Sequence, residues 1–84
     1  MGAFKAYMAA VSAPGALGVR EKKLIALALS VASRCGPCVG INTEAARAAG
    51  ATEGQISEAV ALGIAFGGAA AGMFYSGLGD AETR

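Results

Sequence analysis

Apolar residues recur at intervals of three and four along much of this chain, which is the spacing that places them on one face of a helix. The first such segment runs from Gly2 to Ser12, and its apolar positions are Phe4, Tyr7, Met8 and Val11. The segment that follows, Ala13 to Gly18, contains one proline and two glycines. We therefore predict a short helix with one apolar stripe, followed by a turn.

A second helix is predicted from Val19 to Arg34. It opens with the charged run Arg20 to Lys23 and continues with ten uncharged residues, Leu24 to Ser33. Such a segment leaves little polar surface, so we expect most sides of this helix to be covered. A third helix should run from Pro37 to about Ala49, because Gly50 suits the left-handed conformation that ends many helices.

A capping box marks the start of a fourth helix. Thr52 and Gln55 have the Ser/Thr-x-x-Glu/Gln spacing, which predicts that the helix begins at Glu53 with Thr52 as its N-cap. Helical spacing of apolar residues continues toward Gly77, before a polar tail at residues 80–84. The fold class that results is all-α, a small domain of about four helices that spans residues 1–84 without a linker.

The composition predicts that this domain associates with copies of itself. Hydrophobic residues make up 55% of the chain and charged residues 15%, which is too much apolar surface for a lone domain of 84 residues to bury. We therefore expect an extensive homo-oligomeric interface. The formal net charge is +1, with no basic stripe and no interleaved aromatic residues, so the sequence argues against a nucleic-acid partner.

The uncharged segment Ala59 to Gly79 is long enough to raise the question of a membrane span. It also has two small-residue repeats, Gly63-x-x-x-Gly67 and Gly68-x-x-x-Gly72, of the kind that lets membrane helices approach closely. However, alanine and glycine dominate it, and both are weakly hydrophobic. We expect close packing between subunits rather than a membrane partner, and no leader sequence opens the chain, which favours the cytoplasm.

The two cysteines of the chain form a Cys-x-x-Cys motif, Cys35-Gly36-Pro37-Cys38. At a helix start, unpaired backbone N–H groups and the helix dipole favour a thiolate, and a proline fits the first helical turn. We expect a more exposed Cys35 and a Cys38 one turn inside that could attack a mixed disulfide at Cys35, although the two roles could be reversed.

Other interpretations of the cysteine pair are less favoured. Isolated cysteines are often small buried hydrophobic residues. A structural zinc site needs about four Cys or His ligands, and this chain has two cysteines and no histidine. We therefore predict redox chemistry with no metal and no cofactor, in a reducing compartment where a thiol pair is more often catalytic or sensory than structural.

Three segments together carry a resemblance to a known family: the apolar helix Arg20 to Ala32, the Cys-x-x-Cys motif, and the segment Ala45 to Ala59. In this order they resemble the carboxymuconolactone decarboxylase family, and within it the alkylhydroperoxidase D-like branch, over Val19 to about Tyr75. The resemblance implies an all-helical fold that assembles into dimers, trimers or hexamers. It also implies that Cys35 and Cys38 reduce a peroxide or a partner protein's disulfide and are re-reduced by a protein or small-molecule thiol.

Two positions depart from that branch. It typically has a histidine four residues after the second cysteine, where this chain has Asn42, and a glutamate twelve residues before the first, where this chain has Lys23. An amide cannot transfer a proton as an imidazole does. A lysine cation could stabilise a thiolate, or it could simply belong to the solvated start of its helix. Asn42 and Lys23 are therefore auxiliary candidates beside the catalytic candidates Cys35 and Cys38.

Three functions remain open at this point. The favoured one is a thiol-disulfide oxidoreductase with peroxidase-like, peroxiredoxin-type activity through Cys35 and Cys38. The alternative is a catalytically degenerate oligomeric protein of the same fold that binds or senses redox state. Decarboxylase or lactone chemistry comes last, because it rests on the family's name alone.

Overall fold

The computed structural model describes the backbone of residues 2–83 and the side chains of residues 2–69 and 73. Four helices follow one another, and residues 2–83 contain no strand. They are α1 (Gly2–Ser12), α2 (Val19–Ala32), α3 (Gly36–Ala48) and α4 (Glu53–Thr83). The predicted all-α fold is confirmed.

The helix boundaries agree with the sequence at most ends. The bounds of α1 and the start of α4 are as predicted, and α3 differs by one residue at each end. The predicted end of α2 at Arg34 is wrong by two residues, because Arg34 itself has a left-handed φ of 60°. The predicted end of α4 near Gly77 is too early: no proline interrupts the segment to Thr83, and glycine only weakens a helix without ending it.

The core of the chain lies where α2, α3 and α4 meet. It consists of Leu27, Ala46, Ile56 and Ala59. Leu27 and Ala46 are completely buried. Because α2 contributes to the contacts with both α3 and α4, it is the central helix, and it positions the turn that carries the cysteines.

Helix α1 stands apart from this core, since it has no buried residue. Its end is fastened to α2 by the Lys22 ammonium, whose Nζ donates to the carbonyl oxygens of Val11 at 2.9 Å and Ala13 at 2.6 Å. The connection is therefore fixed while the apolar stripe of α1 stays exposed.

The first small-residue repeat of α4 packs against α2 of the same chain. A Cβ at Gly63 would lie 2.5 Å from the carbonyl oxygen of Ala28, and one at Gly67 would lie 3.1 Å from the Cα of Ala32. The expectation that this repeat packs between subunits is therefore wrong for Gly63 and Gly67, because their missing side chains let two helices of one chain approach. Gly68 faces open space, and the side-chain position of residue 72 lies outside the described part.

The other side of α2 is open. Ile25 and Leu29 are exposed. The composition of α2 predicts that most of its sides are covered, and the single chain does not cover this one. Within the described residues, no helix combines the length and the apolar character that crossing a membrane requires. The homo-oligomeric interface stays a prediction.

Candidate dithiol site

The turn between α2 and α3 is a Schellman motif that brings Cys35 back over the end of α2. Arg34 N–H donates to the carbonyl oxygen of Val31 at 3.1 Å, and Cys35 N–H donates to that of Ser30 at 3.0 Å. This pattern requires a left-handed residue at the second-last position, which is Arg34. An arginine there is unusual, because the Cβ of an L residue is crowded in that conformation.

Cys35 is both the last residue of this turn and the N-cap of α3. Its backbone is extended, and its Sγ accepts a hydrogen bond from the backbone N–H of Cys38 at 3.3 Å. Pro37 lies in the first turn of the helix, as predicted. The Cys35 sulfur therefore takes the place that a serine or threonine oxygen takes in most N-caps.

Cys35 and Cys38 are joined by a disulfide bond, with their Cα atoms 5.2 Å apart. Both residues are half-buried rather than one exposed and one enclosed. The structure thus places the two sulfurs together at the start of α3 but does not separate them by exposure. Cys35 is distinguished by its capping hydrogen bond instead.

Ser30 connects the other groups of the site. It is buried on α2, its Oγ donates to the carbonyl oxygen of Ala26 at 2.7 Å, and the Asn42 amide Nδ2 donates to the same Oγ at 2.9 Å. Its carbonyl oxygen also accepts from Cys35 N–H and, at 3.3 Å, from the Ser33 hydroxyl. One residue therefore fixes the cysteine turn and attaches α3 to α2.

Sequence reasoning did not find Ser30. The sequence feature that could have identified it is a polar residue within the uncharged, mostly apolar part of α2, five residues before Cys35. Polar residues at such positions are hydrogen-bonded in folded proteins. The partner, Asn42, is twelve residues away in sequence and could not be identified without the packing of α3 on α2.

The structure treats the two auxiliary candidates differently. Asn42 lies one turn after Cys38 on α3, and its contact with Ser30 ties it to the residue that also holds Cys35. Lys23 is half-buried at the other end of α2, and no hydrogen bond or ion pair among the described residues joins it to either cysteine. It lies seven residues before Ser30 on the same helix, or about 10 Å along the axis.

The strongest ion pairs lie away from the cysteines. Arg47 on α3 donates to both carboxylate oxygens of Glu53, at 2.7 and 2.9 Å, and this hydrogen bonding lowers the pKa of Glu53 and raises that of Arg47. A hydrogen bond from Arg20 likewise lowers the pKa of Glu21. In the part of the chain that the structure describes, no group of three or more His, Cys, Asp or Glu side chains could hold a metal ion.

The family model that matches this sequence is that of the carboxymuconolactone decarboxylase family, over residues 1–76. The chain belongs to that family. The match includes the cysteine motif, both half-buried auxiliary candidates and most of the four helices, so the resemblance carried by the sequence is confirmed.

Proteins from several organisms are similar to this member of the carboxymuconolactone decarboxylase family. An uncharacterized protein of Cupriavidus necator is 38% identical over 76 residues, which cover 90% of this chain and 67% of that protein. Uncharacterized protein 4 in the cox locus of Paracoccus denitrificans is 43% identical over 58 residues, 69% of this chain and 52% of that protein. The chain thus spans about two thirds and about half of the length of these curated relatives.

A solved structure supports the fold. The crystal structure of a Methanobacterium thermoautotrophicum protein superposes with a TM-score of 0.81 at 39% sequence identity, covering 92% of this chain and 84% of the other. The family includes alkylhydroperoxidase D-like peroxidases. The roles of Cys35, Cys38, Asn42 and Lys23 stay predictions.

Proposed function

We propose that this protein is a thiol-disulfide oxidoreductase with peroxidase-like activity, in which Cys35 and Cys38 cycle between dithiol and disulfide. The observation that carries the proposal is the disulfide in the first turn of α3, with Cys35 Sγ as acceptor of the Cys38 N–H. The Cα atoms of the two cysteines are 5.2 Å apart within one helical turn, so the bond between the sulfurs can form and break inside that turn. The proposed cycle belongs in the cytoplasm, where reducing thiols regenerate such pairs.

Cys35 is the proposed nucleophile. In the disulfide form its sulfur accepts from the N–H of Cys38 at the positive end of the α3 dipole; after reduction, the same N–H and dipole would favour the thiolate over the thiol. Cys38, one turn further along, has its own N–H committed to that cap. Cys35 is thus the nucleophile and Cys38 the residue that attacks it afterwards, as the motif predicts. The reason is the hydrogen bond at Cys35 and not a difference in exposure.

The proposed reaction transfers two electrons to a hydroperoxide. The Cys35 thiolate attacks the terminal peroxide oxygen, the O–O bond breaks, and the released alkoxide takes a proton from solvent to become an alcohol. The sulfur of Cys38 then attacks the resulting Cys35 sulfenic acid, forming the disulfide, and the hydroxide leaves as water with the Cys38 proton. A dithiol reductant restores both thiols through a mixed disulfide and is itself oxidised.

Proton transfer is the part of this cycle that the site supports least. Asn42 donates to Ser30 and has no group that titrates near neutral pH, and Lys23 lies away from both sulfurs. We therefore propose that solvent supplies and removes protons at the half-buried turn. The reaction should accelerate as pH rises and the thiolate fraction grows, without the contribution of an imidazole.

The same observation favours a second function. In this chain Asn42, whose amide is held by Ser30, stands where the branch typically has a histidine. Such a protein could retain the redox-active disulfide and respond to oxidation without rapid turnover. In that case the protein is an oligomeric redox sensor or binding protein, and one peroxide oxidises each dithiol only once.

Peroxide consumption with excess dithiol reductant tests the proposal. The wild type should turn over many equivalents of peroxide per chain, whereas Cys35→Ser and Cys38→Ser should lose catalysis by at least about 100-fold, the scale on which loss of a nucleophile acts. Ser33→Ala is the matched control, because Ser33 donates to the same Ser30 carbonyl as Cys35 yet carries no thiol.

Three results separate the alternatives. Multiple turnovers that need both cysteines support the oxidoreductase. A single equivalent of peroxide consumed, followed by a stable disulfide, supports the sensor. If the wild type and the two cysteine variants consume the same total amount of peroxide, both redox functions are refuted.

A further inference from the structure

Helix α1 is an apolar helix that has no buried residue in the part of the chain that the structure describes. Phe4 is 57% exposed and Tyr7 63% exposed, and the remaining members of its stripe, Met8 and Val11, are also exposed. The Lys22 hydrogen bonds fix where α1 ends but leave its apolar stripe exposed. A stripe of this kind on an isolated surface helix indicates a contact that the single chain does not make.

An open apolar groove lies on another part of the same chain, between α2 and α4. Its volume is about 440 Å³, and its walls include Ile25 and Leu29 on α2 and Leu62 and Phe66 on α4. Leu29 is 63% exposed and Phe66 is 70% exposed. Neither cysteine lines the groove, so it is separate from the dithiol site.

The charges of the two surfaces are complementary. Lys5 is the one charged residue of α1, and it follows Phe4 beside the apolar stripe. Glu58 is the one charged residue that lines the groove, and no ion pair among the described residues engages it. One cation on an apolar helix and one anion on an apolar groove are the arrangement that fixes orientation when such surfaces meet.

We propose that α1 of one copy docks in the α2–α4 groove of a second copy, with Lys5 of one chain facing Glu58 of the other. The occupant is a second copy because this chain itself carries the apolar stripe and the matching charge. When the docking is reciprocal, each chain uses both its four stripe residues and its four groove residues. Each of these eight exposes on the order of 100 Å², so about 800 Å² per chain is offered, which is the area that each partner of a stable dimer buries.

Charge reversal tests this contact. Lys5→Glu and Glu58→Lys are each expected to weaken self-association by roughly tenfold, because two like charges then meet at the groove. An equimolar mixture of the two variants should restore it, since in every contact between unlike chains a lysine meets a glutamate. Sedimentation equilibrium of each variant and of the mixture measures the effect.

The mixture also separates contact between chains from folding of α1 onto its own groove, because mixing cannot repair a repulsion within one chain. Glu44→Lys, an exposed charge reversal on α3 outside the groove, should leave association unchanged. Met8→Asp should dissociate the assembly while circular dichroism shows the same helical content, because Met8 is exposed in the single chain.

Three outcomes would overturn the proposal. The charge variants could associate as the wild type does, or their mixture could fail to restore association. The wild type could also be monomeric and bind vesicles of phosphatidylcholine and phosphatidylglycerol in a flotation assay, which would assign the apolar surfaces to a lipid partner instead.

Discussion

The turn that joins α2 to α3 and the turn that joins α3 to α4 have the same backbone hydrogen bonds. In the first, Arg34 N–H donates to Val31 and Cys35 N–H donates to Ser30; in the second, Gly50 N–H donates to Arg47 and Ala51 N–H donates to Ala46. Both are Schellman motifs followed almost at once by a new helix. Their side chains, however, are very different.

The second turn has a suitable residue at every position. Gly50 takes the positive φ of 95°, Thr52 and Gln55 exchange the two hydrogen bonds of a capping box, and the Arg47–Glu53 pair crosses the turn. The first turn has an arginine in the left-handed position and a sulfur as its cap. The less favourable of the two turns is therefore the one that carries the cysteines.

Exchanging the left-handed residues should have the largest effect. Gly50→Arg is expected to lower the free energy of unfolding by about 1–2 kcal/mol, because a side chain is strained at that φ although its Cβ meets no neighbour. Arg34→Gly, the reverse change, should raise it by up to about 1 kcal/mol, less the entropy that glycine adds to the unfolded chain.

Urea unfolding of the reduced proteins measures both variants, so that the disulfide does not contribute. If Arg34→Gly proves as destabilising as Gly50→Arg, strain does not distinguish the two turns, and the Arg34 side chain must make a stabilising contact of its own.

Removing the caps should have a smaller effect, and again an unequal one. Thr52→Ala is expected to cost about 1 kcal/mol, the usual loss for an oxygen N-cap. Cys35→Ala in the reduced protein, measured at a pH where Cys35 is protonated, should cost less at its cap, because a thiol sulfur is a weak acceptor. Thr52→Ser serves as the control that keeps the capping oxygen, and equal losses at positions 35 and 52 would show that the two caps are equivalent.

The smallest expected effect concerns pH. The hydrogen bond from Arg47 lowers the pKa of Glu53 from its usual 4.5, so the stabilisation is present above pH 4.5 and is lost as pH falls through the lower folded pKa. Glu53→Gln should therefore lower the urea midpoint slightly at pH 7, and the difference from wild type should disappear in acid.

Glu44→Gln is the matched control for this prediction, since Glu44 pairs with the same arginine within α3 and does not cross the turn. A difference between wild type and Glu53→Gln that persists unchanged at pH 3 would mean that the ion pair is not its source. High salt should reduce the difference as well, because both groups are exposed.

The second turn could be predicted in detail because its determinants are local. Gly50 and the Thr52–Gln55 spacing each determine the backbone conformation of a few neighbouring residues. The structure has the predicted positive φ at Gly50 and the predicted capping box. The first turn could be predicted only in part. The motif places Cys35 and Cys38 at a helix start, whereas an arginine gives no indication of a left-handed residue.

Contacts that join distant parts of the chain could not be predicted. The Ser30–Asn42 hydrogen bond depends on how α3 packs on α2, and the approach of Gly63 to Ala28 depends on how α4 does. The small-residue repeat showed that a helix would come close to α4, but not that this helix belongs to the same chain. Equally, the apolar stripe of α1 follows from its sequence, whereas its exposure among the described residues does not.

The contact between Gly63 and α2 limits how this protein can be altered. A Cβ at Gly63 would meet the Ala28 carbonyl oxygen and the Cβ of Val31, which lie on either side of Ser30, the residue that holds the cysteine turn. A side chain at position 63 would therefore force α2 and α4 apart next to Ser30. Gly68, on the same helix, faces open space and is the position where an engineer could attach a label or a new binding group without disturbing the redox centre.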